Sequence, residues 1–228
     1  MSAYDLDELS RARRLARWMF DQYAHAVRGD VAELGPGVGT FSERMLARGI
    51  RRLHLVEPEP EFADVLERRF AADPRTTLAR ETLPDAPSLR NGRRFDFLLC
   101  QNVLEHVAEH EEAVRTMAYA LRPGGRLTLI VPAGPRLYGS LDRAYGHHRR
   151  YTPPMVRDLV ETAGLRLVDL YAFNLLGVAG WWVKGRLGAK RLGGRSLRAY
   201  ELLLPLWRPV EARVRPPWGL SLVVHAER

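Results

Sequence analysis

Apolar positions along this chain fall into two alternating rhythms. Between residues 5 and 27, Leu9, Ala12, Ala16, Met19, Tyr23 and Val27 recur at three- and four-residue steps, with Arg11, Arg13, Arg14 and Arg17 between them. This spacing predicts an amphipathic helix, ended by Gly29. The short run Val31-Ala32-Glu33-Leu34 then stops at a glycine cluster and reads as a buried strand. Helical spacing resumes through Phe41, Met45 and Leu46, and Leu53-His54-Leu55-Val56 forms a second strand ending at Glu57. A charged helix over 59–71, a third strand over 76–80, a fourth from Phe95 to Cys100 and a helix over 109–121 follow. Arg122-Pro123-Gly124-Gly125 reads as a helix stop, because proline cannot continue a helix and glycine suits its end. Arg126 to Val131 is a fifth strand. After Pro132 the rhythm breaks, and 133–152, with its glycines, tyrosines and paired His and Arg, is predicted as a loop or lid. A helix over 153–163 and a strand over 165–172 restore the pattern, 173–216 is a long insertion rich in Trp, Leu and Arg, and Leu220 to His225 closes the chain as a strand.

Strands alternating with helices at this spacing predict right-handed crossovers and a parallel sheet covered on both faces. The 228 residues, 46% of them hydrophobic, suit one domain with a sizeable core. Within it, 1–29 is expected to be a helical cap, 30–132 the ligand-binding core, and 133–152 and 173–216 lid or substrate insertions. The single cysteine, Cys100, excludes an internal disulfide framework and a cysteine-built zinc site, so a reducing cytoplasm is the expected compartment. The N-terminal stretch carries charges throughout, with no apolar run before a small-residue cleavage site, so no targeting segment is expected. No run of about 18 apolar residues exists, which argues against a membrane span. The nearest approach, YAFNLLGVAGWWV over 171–183, reads as a core or lid helix or as a contact with lipid or a greasy substrate.

Charge changes the picture in one place. The net charge is +8, and residues 184–215 hold nine Lys or Arg against Glu201 and Glu211, a net +7 for that segment. A DNA-binding protein would spread basic charge over a face of the fold, so DNA is not an expected partner.

The densest chemistry lies in Val31-Ala32-Glu33-Leu34-Gly35-Pro36-Gly37-Val38-Gly39-Thr40-Phe41. Glycines between a strand and a helix let a ligand approach the backbone at the carboxyl end of a sheet. Dinucleotide binding asks for G-x-G-x-x-G. Here the spacing is G-x-G-x-G, with Glu33 two residues ahead of it. A carboxylate there repels a pyrophosphate and suits an ammonium or sulfonium. A second acid, Glu57, ends the next strand, where a carboxylate accepts from both hydroxyls of a ribose.

VAELGPGVGTF, LHLVEPEP, FDFLLCQNVLEHV and LRPGGRLTLIVP resemble the successive motifs of class I S-adenosylmethionine-dependent methyltransferases, in particular the type 11/12-like group. The resemblance covers about residues 30–132 and, by strand order, extends to the end. It implies an α/β, Rossmann-like, doubly wound sheet of seven strands, mostly parallel with the last strand antiparallel, and S-adenosyl-L-methionine as cofactor. It places Glu33, Leu34, Gly35, Pro36, Gly37 and Gly39 around the methionine part, and Glu57 with Pro58 at the ribose. Glu81, Thr82 and Leu83 fall at the adenine, although the family residue at 81 is usually aspartate; Gln101, Asn102, Val103 and His106 face the cofactor. His106 equally reads as packing a helix start, and Glu81 as a solvated loop charge. The stretch after the fourth strand lacks the Asn/Asp-Pro-Pro-Tyr motif of amino-directed base methyltransferases. The acidic metal ligands of catechol-type enzymes and the paired glutamates of protein-arginine enzymes are not seen either. No metal is expected.

Tyr138 to Tyr151 resembles the GHxRRY stretch of a subset of these enzymes and follows the fifth strand, over the cofactor. His147 or His148 is a candidate base for a hydroxyl acceptor, and Arg149 or Arg150 a candidate binder of an anionic one. The structural alternative is a loop held by His–Asp and Arg–Asp pairs. The resulting reading is metal-independent methyl transfer to a small or lipid-like molecule, at oxygen before other atoms. Its alternatives are RNA methylation through 184–215, a non-catalytic cofactor-binding module, and a dinucleotide oxidoreductase, against which the glycine spacing and Glu33 argue.

Overall fold

The computed structural model of the protein describes residues 12–189, 191 and 194–228. Its elements are Arg13–Asp21 (α1), Asp30–Leu34 (β1), Thr40–Leu46 (α2), Arg52–Val56 (β2), Pro60–Phe70 (α3), Thr76–Ala79 (β3), Pro87–Arg90 (α4) and Phe95–Gln101 (β4). There follow His110–Ala120 (α5), Leu121–Pro132 (β5), Ser140–Tyr145 (α6), Pro153–Thr162 (α7), Arg166–Phe173 (β6), Leu175–Arg186 (α8), Gly194–Val214 (α9) and Ser221–Glu227 (β7). The seven strands form one sheet in the order β3-β2-β1-β4-β5-β7-β6, with β7 antiparallel to both of its neighbours.

Side chains alternate across the strands and so build two cores. In β4, Leu98 and Cys100 face α5 and α7, where Val114, Met117, Val156 and Val160 meet them. Phe97 and Leu99 face the other side, covered by α1, α2 and α3 through Trp18, Met45 and Leu66, with Leu204 of α9 joining them. Because both faces are covered, β1 and β2 are buried almost end to end, as parallel strands must be.

Three expectations change in detail. The helix expected over 5–27 ends earlier than its pattern: α1 stops at Asp21 and the chain continues in turns, while residues 1–11 lie outside the described residues. The fifth strand begins at Leu121, because a register shift between Phe95 and Phe97 lets Leu121 pair with Phe95 before the Gly124 turn. Finally, 133–152 contains α6 and packs inward, with Leu141, Asp142, Arg150 and Tyr151 all buried.

Candidate functional site

The carboxyl ends of β1, β2 and β4 open on a cavity of about 780 Å³, closed on its far side by α6, α8 and α9. Glu33, Leu34, Gly35, Pro36 and Gly37 line it from the β1 turn, Glu57 and Pro58 from β2, and Gln101, Asn102, Val103 and His106 from the end of β4. His147 and Arg150 line the opposite wall beside Tyr145 and Trp181.

The first turn is built from backbone conformation. Gly35, Gly37 and Gly39 all have positive φ, +57° at Gly37. A Cβ on Gly35 would sit 2.3 Å from Val103 Cγ2. One on Gly39 would meet Phe70 at 2.7 Å, so Gly39 permits α2 to pack on α3 and does not itself line the cavity. Asn102, at φ +52°, is a non-glycine residue held in the left-handed region at the cavity edge, where functional sites concentrate such strain.

Two buried acids meet here. Glu33 accepts a short hydrogen bond from Ser42 Oγ, and burial raises its pKa to about 7 against the lowering effect of that bond, with Glu57 adding to the rise. Glu57 accepts from the backbone N–H of Gly37 at 2.9 Å and of Glu59 at 3.1 Å; burial pushes its pKa up and those two bonds oppose it. Gln101 Oε1 is a buried acceptor with no donor among the described residues. One end of the cavity therefore offers two carboxyls and an amide oxygen, which suits a ligand bringing a cation and hydroxyl groups.

The opposite wall is organised by Asp142. Its buried carboxylate accepts from His147 Nδ1 at 2.9 Å, Arg150 Nε at 2.7 Å, Gly139 N at 2.9 Å and Trp181 Nε1 at 3.3 Å. Burial raises its pKa, and the bond from His147 with the charge of Arg150 outweighs this, so it stays ionised. An ionised carboxylate only accepts, so Nδ1 of a neutral His147 carries the hydrogen and Nε2 keeps its lone pair. Nε2 lies 3.9 Å from Glu105 Oε1, and the His106 ring stands edge-on at 4.8 Å. Burial lifts the Glu105 pKa to about 8, leaving it protonated at neutral pH, and its Oε2 has no hydrogen-bond partner among the described residues. Burial and His147 push His106 down to about 4.

The remaining candidates are placed differently. His148 is exposed and does not line the cavity; its backbone N–H donates to Glu105 O. Arg149 is held by the carbonyls of Val107 and Ala108 at 2.7 and 3.0 Å. Arg150 lines the cavity, but Nε is taken by Asp142 and Nη1 by Ala133 O, and its guanidinium lies 4.7 Å from the Trp181 ring centre. Glu81 accepts from the N–H and hydroxyl of Ser88 at the start of α4, and neither it, Thr82 nor Leu83 lines the cavity.

Two residues escaped the sequence reading as site members. Asp142 was legible only as a partner in a loop-closing pair. Glu105 lay unremarked beside His106, where an acid next to a histidine on a surface turn is ordinary. Together Glu105, His106 and His147 each present one metal-ligand atom, all within 4.8 Å of one another. The chain order hides this grouping, because His147 arrives from α6.

A family model described as a methyltransferase domain matches residues 8–170. A methyltransferase-like protein of Schizosaccharomyces pombe, itself uncharacterized, is 29% identical over 114 residues, 50% of this chain and 42% of its own length. A ubiquinone biosynthesis O-methyltransferase of Methylobacterium nodulans is 31% identical over 110 residues, 42% of this chain and 43% of its own. The match thus spans less than half the length of either relative. Among solved structures, the N-methyltransferase NodS of Bradyrhizobium japonicum, in complex with S-adenosyl-L-homocysteine, superposes with a TM-score of 0.61 at 14% identity, over 96% of this chain and 86% of that one. At that identity the likeness concerns the fold.

Proposed function

The chain belongs to the methyltransferase-domain family and has its class I, S-adenosylmethionine-dependent fold, and from that premise we propose that it transfers a methyl group from S-adenosylmethionine to the hydroxyl of a small or lipid-like acceptor, without a metal. The observation that carries this reading is one cavity with buried acids at one end and an oriented imidazole at the other. Glu33 would face the cofactor's ammonium, Glu57 its ribose hydroxyls, and Gln101 and Asn102 would face the cofactor from the end of β4. The volume of about 780 Å³ lies in the upper part of the usual ligand-pocket range and leaves room for an acceptor beside the cofactor.

When bound, the cofactor supplies an electrophilic methyl group on a sulfonium, lost by direct displacement. The protein's contribution is alignment, exclusion of water and disposal of one proton. As the acceptor oxygen takes the methyl group, its proton passes to His147 Nε2. Asp142 holds the ring in the required tautomer and stabilises the imidazolium that results. Protonated Glu105 and unprotonated His106 beside it add no charge to the wall. Arg150, fixed on Asp142 and Trp181, supports this arrangement and is not free to grip an anion through Nε.

Calorimetry should show binding of S-adenosylmethionine and S-adenosylhomocysteine, and Gly37→Val should abolish both, since a β-branched residue at φ +57° is strained and fills the cavity. With labelled methyl donor and cell extract as acceptor source, His147→Ala should lose about 10²–10⁴-fold in turnover and His148→Ala almost nothing. A chelator should leave the rate unchanged. Full activity of His147→Ala would remove the base and point to an amine or carboxylate acceptor; loss of activity with chelator would give Glu105, His106 and His147 to a metal.

A further inference from the structure

The outer face of the α8–α9 pair inverts the usual surface pattern. Along α9 the exposed positions include Arg198, Leu202, Leu206, Val210 and Arg213, spaced by three and four so that they share one side. Leu202 is 71% and Leu206 76% exposed, while Leu204 and Glu211 point inward. On α8, Trp182 and Val183 are half exposed, and Trp218 projects beyond the end of α9 at 69%. An apolar concentration of this kind on a protein surface marks an interaction site.

Charge says with what. Both acids of the 184–215 segment are turned inward: Glu201 accepts from the N–H groups of Arg14 and Leu15 at the start of α1, and buried Glu211 accepts from Asn174 N, Leu175 N and Trp207 Nε1. Arg186, Arg198 and Arg213 are exposed among the apolar side chains, and the Arg186 guanidinium lies 5.5 Å from the Trp182 ring centre. Leucines and tryptophans flanked by arginines, with no outward acid, fit an anionic lipid surface: the rings and leucines enter the headgroup boundary and the cations meet the phosphates. No helix among the described residues is long and apolar enough to cross a bilayer, so the pair would lie along it. The inner side of the same pair, through Leu176, Trp181, Leu197 and Tyr200, forms one wall of the cavity.

We propose that the outer face of α8 and α9 docks on an anionic membrane surface, which places that wall of the cavity at the lipid headgroups. The inference is independent of the methyl acceptor. It is tested by sedimentation of the full chain with vesicles of phosphatidylcholine alone or mixed with phosphatidylglycerol. The protein should partition onto the anionic vesicles and be released by high salt. Leu202→Glu with Leu206→Glu, and separately Arg198→Glu with Arg213→Glu, should each weaken partition by about tenfold or more, while unchanged S-adenosylhomocysteine affinity certifies the fold. No partition onto anionic vesicles, or partition unmoved by both double variants, overturns the proposal. So does a dimer in solution that the leucine variant dissociates without vesicle binding, which would give the face to a second copy. Displacement from vesicles by RNA at low stoichiometry would give it to nucleic acid.

Discussion

At the residue scale, Glu57 shows what a buried acid does when its donors come from the backbone. Its two oxygens are held by the N–H groups of Gly37 and Glu59, so the side chain is aimed before any ligand arrives. A ribose would exchange one of these bonds for a hydroxyl donor on an ionised acceptor. Glu57→Ala should therefore weaken cofactor affinity by about 1.5–3 kcal/mol, the loss of a charge-assisted pair, while the fold survives. Titration calorimetry decides it, and an unchanged dissociation constant would show that the acid serves the turn alone. Residues of this kind are legible in sequence because their neighbours in the chain are also their neighbours in space: Glu33, Gly35, Gly37 and Glu57 all lie within a strand end or the turn after it. Asp142 and Glu105 are not of this kind. Asp142 gains meaning from Trp181, 39 positions away, and Glu105 from His147, which α6 brings back to it. Glu81 differs again, because its local partner Ser88 occupies it.

At the scale of elements, α9 stitches the cap together. Its Glu201 caps the start of α1, which has no side-chain cap of its own, across 186 positions of chain. Its Glu211 holds the start of α8 through Asn174 N and Leu175 N while also accepting from Trp207. Helix starts expose N–H groups and a partial positive charge, so a carboxylate there answers both. Glu211→Ala would leave buried donors without an acceptor and should destabilise the protein by about 2–3 kcal/mol in urea unfolding, with Glu211→Gln recovering part of it. A loss within a few tenths of a kcal/mol would show that water replaces the carboxylate. The strands were readable from their apolar runs, and β1, β2, β4 and β7 fall within a residue or two of their expected limits. The run over 171–183 anticipates α8 as a core or lid helix, whereas α9 reads only as part of an insertion, for two physical reasons. Pro205 and Pro209 lie inside α9 and normally end a helix, and its apolar residues are split between an inner and an outer face, which erases the one-sided pattern.

At the scale of the whole molecule, the cavity stores its electrostatic strain in protons. Glu33 and Glu105 are lifted by burial to about 7 and about 8 from an ordinary value of 4.5, so each binds its proton more tightly folded than unfolded. Their stabilising contribution is present below the ordinary value and is lost as pH rises to the folded one. Glu57, also raised, acts with the same sign. His54, His106 and His225 are lowered by burial to about 4 from 6.5, which does the opposite: stability rises with pH between 4 and 6.5 and is then constant. The two sets offset one another in acid, and above pH 6.5, of these groups, it is Glu33 and Glu105 whose folded values still lie ahead. The melting temperature of the protein without cofactor should therefore decline from pH 6.5 to 8, and Glu105→Gln should flatten the upper part of that decline. A cationic ligand beside Glu33 favours its ionised form, so the stabilisation by S-adenosylmethionine should grow with pH through 7, an increase that Glu33→Gln removes. Melting curves across this range with and without cofactor test both statements. A decline that S-adenosylmethionine leaves untouched would mean that the cofactor's charge lies away from Glu33, and with it the orientation proposed for the methyl group.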